Sequence, residues 1–232
     1  MSERAVFVRS LFGTLKPGHI LVMGGKAKSE AQEIDIRLCN KERNSIDLRL
    51  LIRFENNQIV RNTRTNRRWG AEEIEENLEP NACLNPITPG AHFRLYILLE
   101  TSKFRIAFDG KPFCTYAYRL PLEGICAFSV SYGVEKITQL DHRQVYPSPW
   151  PPIQMDEPNL SFSADFPIQF SPGHCIYIAG TCSENSAGQF VIFFVDGSSN
   201  PSKKLSFYFN QRCASQIVAL NIATNIAHGD LQ

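Results

Sequence analysis

The feature that most constrains the fold of this chain is a series of short apolar segments separated by turn-forming residues. Each segment is rich in Val, Ile, Phe and Tyr and is bounded by Gly, Pro, Asn, Asp or Ser, which is typical of β-strands. Helical periodicity is nearly absent, and AEEIEENLEP is predicted as a loop or strand rather than a helix because Pro80 ends it quickly. The predicted strands are GHILVMGG, EIDIRLC, IDLRLLIRF, QIVRN, HFRLYILLE, KFRIAFDG, ICAFSVSYG, CIYIAG, QFVIFFVDG and KLSFYF.

Two of these segments show which face of a strand is buried. Apolar and more polar residues alternate along HFRLYILLE and KFRIAFDG, as expected for a sheet with one face in a core and the other face wetter. Many such strands joined by turns predict an all-β fold, an antiparallel two-sheet sandwich. The residues predicted on the wetter face are Arg94, Tyr96, Arg105 and Ala107.

A proline-rich segment and an internal repeat predict the domain organisation. YPSPWPPIQMDEPN carries five prolines and favours extended, semi-rigid chain, while PGHILVMGG is matched further along by PGHCIYIAG. We predict a first domain over residues 5–142, a linker over 143–159 and a partial second copy over 160–232. Because the second copy is incomplete, we expect a fragment or shortened isoform of a longer protein. Its open strand edges could pair with another chain, and this predicts self-association.

Composition excludes several classes of protein. The chain has 24 Lys and Arg against 23 Asp and Glu, a net charge of +1, so no overall field favours nucleic acid or an anionic membrane. No apolar run approaches the roughly 18 to 20 residues of a membrane span, and the amino terminus lacks a signal-peptide pattern. The seven cysteines lack CxxC spacing, and those in apolar runs, such as Cys126, are predicted to be buried thiols.

Neither catalysis nor cofactor binding is indicated. The sequence contains no GxSxG elbow, no GxGxxG and no P-loop pattern. The histidines His19, His92, His142 and His174 have no spacing that suggests metal ligands or a catalytic pair. We therefore predict a protein that is not an enzyme and has no cofactor and no metal site.

Several motifs resemble those of the galectin family. IDLRLLIRF, followed by IVRN and WGAE, is similar to the family's sugar-binding signature, and FDGKPFCTYAYRLPLEGICAFSVSYGVEKITQL resembles its carboxy-terminal strands. The resemblance covers about residues 5–142 and, in part, 160–232. It implies a jelly-roll sandwich with a groove for β-galactoside glycans on its concave sheet. It also implies a place in the cytoplasm and, by unconventional export, outside the cell.

The resemblance assigns carbohydrate binding to Arg49, Arg53, Asn62, Trp69 and Glu72. A galactose unit has one apolar face of C–H groups, which an exposed ring such as Trp69 can cover. Its hydroxyls need several directed hydrogen bonds, which are strongest when a charged group takes part. Arg53, Asn62 and Glu72 supply groups of that kind.

The chain also departs from the family pattern. The usual strand carries His, Asn and Arg at alternate positions, and here these are Arg49, Leu51 and Arg53. Arginine donates hydrogen bonds but cannot accept them, and leucine does neither. The family's second arginine is Ile74, so Glu72 is expected to lack its usual partner. These changes leave an alternative function open: a protein-interaction module that has lost β-galactoside binding.

The second copy is altered at other positions. Its strand keeps Asn210 and Arg212 but has Tyr208 at the His position, and Asn221 is retained. His228 stands in place of the tryptophan and Leu231 in place of the acidic residue. We expect little or no sugar binding from this copy.

The run RNTRTNRRWG contributes four arginines just before the predicted site: Arg61, Arg64, Arg67 and Arg68. One interpretation is a solvated hairpin loop. Nucleic-acid binding is disfavoured because five glutamates follow closely and would repel phosphates. A third interpretation is that the arginines, with Arg49, direct the groove toward anionic glycans, since arginine pairs well with sulfate or carboxylate.

Overall fold

The computed structural model describes residues 7–11, 13–42, 44–144, 150–152, 176, 178, 189–195, 205–212 and 217–221. The chain divides into two compact units, Met1–Asp156 with Ser163–Ser171, and Glu157–Phe162 with Pro172–Gln232. The division into domains at 142 and 160 stays a prediction.

The first unit contains two antiparallel sheets. Its strands are β1 (Phe7–Ser10), β2 (Ile20–Ala27), β3 (Glu33–Asn40), β4 (Ile46–Arg53), β5 (Gln58–Thr65), β6 (Arg68–Trp69), β7 (His92–Leu99), β8 (Lys103–Phe108), β9 (Lys111–Ala117), β10 (Ile125–Val130) and β11 (Val134–Arg143), with a short 3-10 helix (Leu122–Gly124) before β10. One sheet has the order β1-β10-β3-β4-β5-β6 and the other the order β11-β2-β7-β8-β9. The predicted antiparallel two-sheet sandwich is confirmed.

The core lies where the inward faces of the two sheets meet. On β4, Leu48, Leu50 and Ile52 point into this core and are at most 1 % exposed. Arg49 and Arg53 lie on the opposite face, as the period of two along a strand requires. The sequence alternation therefore separates a core face from a groove face, as predicted.

The outer face of the five-stranded sheet is drier than predicted. Tyr96 and Ala107 were expected on a wetter face, but they are 3 % and 0 % exposed and form a small apolar cluster with Ile20 and Val22. Trp150 packs against this cluster, which explains the burial. Tyr96 and Ala107 do lie on the face opposite the core, but Trp150, which covers them, lies far away in the sequence.

Two further local predictions have different outcomes. The segment AEEIEENLEP forms loops and isolated β-bridges and no helix, which confirms its prediction. The burial of Cys126 was predicted wrongly, because a register shift between Ile125 and Ala127 interrupts β10 at that residue and leaves its side chain exposed.

The second unit contains a three-stranded antiparallel sheet of β12 (Gln189–Val195), β13 (Leu205–Arg212) and β14 (Ile217–Asn221). Its register repeats that of the first unit: Tyr208 pairs with Asn221 as Arg49 pairs with Asn62. The internal repeat is thus present in the strand pairing. The strand predicted over CIYIAG falls largely outside the described residues, and so do His228 and Leu231.

Candidate functional site

The five predicted site residues come together at one end of the groove face. Arg49 and Asn62 are direct partners across β4 and β5, and Asn62 Nδ2 donates to the Gly70 carbonyl oxygen at 3.0 Å. The Arg49 guanidinium carbon lies 4.7 Å from the centroid of the Trp69 ring. Arg53 and Glu72 form an ion pair beside them.

Glu72 pairs with Arg53, although the family's second arginine is replaced by Ile74. Arg53 Nη2 donates to Glu72 Oε1 at 3.2 Å and Arg53 Nη1 to Oε2 at 3.4 Å. The loss of an arginine at Ile74 therefore does not leave this carboxylate alone. The two side chains are 28 % and 43 % exposed, so the pair adds little to stability but fixes two polar groups at the groove surface.

Trp69 is the exposed aromatic residue of the groove. It is 39 % exposed and lies on the two-residue edge strand β6. The guanidinium carbons of Arg49 and Arg64 lie 4.7 Å and 5.2 Å from its ring centroid, within the range of cation–π attraction. These contacts orient the indole ring while leaving part of it open to solvent.

Asp35 forms the buried centre of the groove face, although it was not among the predicted site residues. Its carboxylate is fully buried and accepts hydrogen bonds from two arginines. Arg37 Nε donates to Oδ1 at 3.0 Å, and Arg49 Nε and Nη2 donate to Oδ2 at 3.0 and 2.7 Å. The signal in the sequence was the alternation in EIDIRLC, which places Asp35 and Arg37 on the groove face beside Arg49.

Leu51 lies on the same face, directly between Asp35 and Val60 in the strand register. Leu51 and Val60 are 3 % and 1 % exposed. The position that is usually asparagine in the family is therefore an apolar, covered part of the groove floor. It can contribute packing but no hydrogen bond.

Arg61 does not belong to the exposed arginine run. Its side chain is fully buried and donates to the backbone carbonyl oxygens of Ile59, Ile74 and Glu76, the last at 2.5 Å. It therefore anchors the loop that follows Trp69, and its interpretation as part of a solvated hairpin was wrong. Alternation along β5 puts Arg61 on the face opposite Asn62.

Arg119 is a second residue that the sequence analysis missed. Arg119 Nη2 donates to Glu73 Oε1 at 2.7 Å, and Nη1 donates to the Ala71 carbonyl oxygen at 2.8 Å and to Asn62 Oδ1 at 3.4 Å. It follows β9 of the other sheet and is far from Asn62 in the sequence. Arg119 thus connects the loop after Trp69 to the amide of Asn62.

If the groove binds lactose, as the resemblance implies, Arg119→Gln is expected to weaken that binding about threefold to fivefold. The loop that carries Glu72 loses a charge-assisted bond that is partly exposed, which corresponds to roughly 1 kcal/mol. Isothermal titration calorimetry measures the change. Arg105→Gln is the matched control, because Arg105 also pairs with a carboxylate, Glu79 at 3.3 Å, but lies on β8 of the other sheet. Equal affinities for the two variants would contradict the role given to Arg119.

Asp47 is a buried acid on the strand that carries Arg49. It is 2 % exposed, and Asn40 Nδ2 donates to its carboxylate oxygens at 3.2 and 2.9 Å. Its backbone carbonyl accepts a hydrogen bond from Thr63 Oγ1 at 2.9 Å. Burial raises the pKa of Asp47 from 3.8 to about 6, despite the opposing effect of the Asn40 hydrogen bond.

We expect Asp47→Asn to be nearly neutral at pH 4 and to raise the free energy of unfolding by about 2 kcal/mol at pH 7.5. The folded carboxyl group holds its proton more tightly than the unfolded one, so stability is lost as the pH rises from about 4 to above 6. A shift of roughly two pKa units corresponds to about 3 kcal/mol at most. Urea denaturation at both pH values tests this, with the exposed Glu55→Gln as control. A difference from wild type that is the same at both pH values would contradict it.

His19 and His142 form a contact that their spacing did not predict. His142 Nε2 and His19 Nδ1 are 3.0 Å apart, because β11 pairs with β2. Burial and the neighbouring His142 and Lys16 lower the pKa of His19. In the part of the chain that the structure describes, no group of three or more His, Cys, Asp or Glu could hold a metal ion.

The two-sheet sandwich and its groove can be compared with known proteins. The family model for galactoside-binding lectins matches residues 6–142 and 161–231. The chain therefore belongs to the galactoside-binding lectin family, the galectins. Among the described residues, no helix is long and apolar enough to cross a membrane.

Individual proteins that this chain resembles are a β-galactoside-binding lectin and galectins. A 32 kDa beta-galactoside-binding lectin of Caenorhabditis elegans is 33 % identical over 119 residues, which cover 50 % of this chain and 40 % of the relative. Galectin-8 of Rattus norvegicus is 25 % identical over 227 residues, covering 89 % of this chain and 68 % of the relative. Chicken galectin 2 has the same fold, with a TM-score of 0.52 at 17 % identity over 60 % of this chain and all of the other.

Proposed function

We propose that the groove of the first unit binds galactose-containing glycans without catalysis. The observation that supports this best is the exposed Trp69 ring next to the ion pair of Arg53 and Glu72. The ring offers a platform for the apolar face of a sugar, and the pair offers a donor and an acceptor for its hydroxyls. Asn62, which is 3 % exposed, supports the loop on which Glu72 lies.

Family membership supports this proposal, and two of the relatives are named as β-galactoside-binding lectins. The alternative of a module that has lost sugar binding has no support from these comparisons. The altered positions change the kind of contact available. Arg49 is a donor only, and Leu51 is apolar, so hydroxyl recognition falls mainly to Arg53 and Glu72.

Titration of lactose into the full chain tests the proposal. The chain has two tryptophans, and Trp150→Phe leaves Trp69 as the single tryptophan, whose emission can be followed selectively. We expect lactose to change the emission of this variant in a saturable way, whereas the glucose disaccharide cellobiose has no such effect. Equal responses to both sugars, or no response to millimolar lactose, sulfated lactose or sialyllactose, would overturn the proposal in favour of the interaction module.

Two finer properties belong to the same proposal. A galectin of this kind would act in the cytoplasm and, after unconventional export, outside the cell. Self-association through the second unit would let one assembly hold two glycans and raise avidity. Light scattering over a range of protein concentrations measures whether the chain self-associates.

A further inference from the structure

Arginine side chains cluster at the Trp69 end of the groove. Arg37 and Arg49 bring two positive charges to the single carboxylate of Asp35. The Arg64 guanidinium carbon also lies 5.2 Å from the Trp69 ring centroid, and its Nε donates to the Asn44 carbonyl oxygen at 3.1 Å. Three guanidinium groups, those of Arg37, Arg49 and Arg64, therefore lie together at this end of the groove, although the whole chain is nearly neutral.

Arg49 is held in position rather than left to move. Its Nε and Nη2 both donate to Asp35 Oδ2, and its guanidinium carbon lies over the Trp69 ring. Among the described residues, Arg49 Nη1 has no hydrogen-bond acceptor, and the side chain is 14 % exposed. A guanidinium fixed on one side with an N–H group remaining is preorganised for an external acceptor.

The chemistry of these residues favours a charged acceptor over a neutral hydroxyl. A hydroxyl group is recognised best by partners that both donate and accept, whereas arginine only donates. A sulfate or carboxylate only accepts, and its charge is attracted by the guanidinium groups of Arg49 and Arg64. Partial burial in the groove strengthens this attraction relative to a fully solvated site.

We infer that the Trp69 end of the groove, with Arg49 and Arg64, is a subsite for an oxyanion, sulfate or carboxylate, carried by the galactose-containing glycan. This inference rests on the proposed function, because the sugar must place its charged substituent beside Trp69. Asp35 positions Arg49 and does not itself touch the anion. The preferred ligand is an acidic galactoside rather than lactose.

The test compares lactose, lactose sulfated on its galactose, sialyllactose and inorganic sulfate by calorimetry on the full chain. We expect at least one acidic galactoside to bind about tenfold or more tightly than lactose, with the advantage falling as salt is raised. The sulfate and carboxylate arms show which oxyanion is preferred. Arg49→Gln and Arg64→Gln should each reduce the advantage to below about threefold. Lys111→Gln, an equal loss of charge on β9 of the other sheet, should leave it unchanged.

The outcomes separate this inference from the proposed function. Lactose binding with no advantage for either acidic sugar overturns the inference and leaves the function in place. Binding of neither lactose nor the acidic sugars overturns both. An advantage that Arg49→Gln and Arg64→Gln leave intact, or inorganic sulfate binding as tightly as the sulfated sugar, also overturns the inference. If the arginines serve only to hold the Trp69 ring, Arg49→Gln and Arg64→Gln weaken the binding of lactose and of the acidic sugars by the same factor. That result also overturns the inference.

Discussion

Trp69→Ala is expected to weaken lactose binding by about 100-fold. An aromatic residue that covers the apolar face of a ligand commonly contributes 2 kcal/mol or more, and 100-fold corresponds to about 2.7 kcal/mol. The fold should tolerate the change, because the ring is 39 % exposed and lies at a sheet edge. We expect a loss of less than about 1 kcal/mol in the free energy of unfolding. Calorimetric titration and urea denaturation measure the two effects.

Trp150→Ala is the matched control, since it removes the only other tryptophan of the chain. Trp150 packs on the outer face of the other sheet, against Ile20, Val22, Tyr96 and Ala107. This variant should lose stability and keep its affinity for lactose. If Trp69→Ala retains an affinity within threefold of wild type, the groove is not the binding site.

Asp35→Asn is expected to lower the free energy of unfolding by about 4 kcal/mol. The substitution leaves the guanidinium groups of Arg37 and Arg49 without the buried carboxylate that both contact. Removing one partner of a buried ion pair commonly costs 3 to 5 kcal/mol, because the remaining charge stays desolvated. Urea denaturation at neutral pH gives the value.

Glu33→Gln offers a close control for this prediction. Glu33 lies two residues before Asp35 on β3, and its substitution removes the same charge from the same strand. Its carboxylate is 41 % exposed and 3.8 Å from Arg53, so we expect a loss below about 1 kcal/mol. Similar losses for both variants would mean that the burial of Asp35 is not the source of its effect.

The sequence predicts the strands and their faces because both follow from local patterns. Leu48, Leu50 and Ile52 alternate with Arg49 and Arg53, and the structure retains this separation. The same rule would have identified Arg61 as facing away from Asn62 if it had been applied along β5. The burial of Arg61 therefore follows from a local pattern that is present in the sequence.

Other features depend on pairing between distant strands and could not be read from local pattern. Asp35 is buried because β3 lies beside β4, which brings Arg49 next to it. Arg119 reaches Asn62 only through the packing of one sheet on the other. Likewise, Trp150 packs on the cluster that contains Tyr96. Trp150 lies in a segment whose only recognisable sequence pattern is its high proline content, so this contact could not be predicted. Tertiary contacts of this kind have no periodicity that would reveal them.

The shared carboxylate of Asp35 also limits how the site can be altered by evolution or design. Exchanging Arg49 alone for the histidine usual in the family would leave Asp35 paired with Arg37. It would also replace the arginine that donates two hydrogen bonds to Asp35 with a shorter side chain of different charge. The effects of substitutions at positions 35, 37 and 49 should therefore be strongly non-additive, as is common for residues in one contact network. Any route from this groove to an ordinary galectin site requires coordinated changes, in which the order of substitution decides whether the intermediates remain folded.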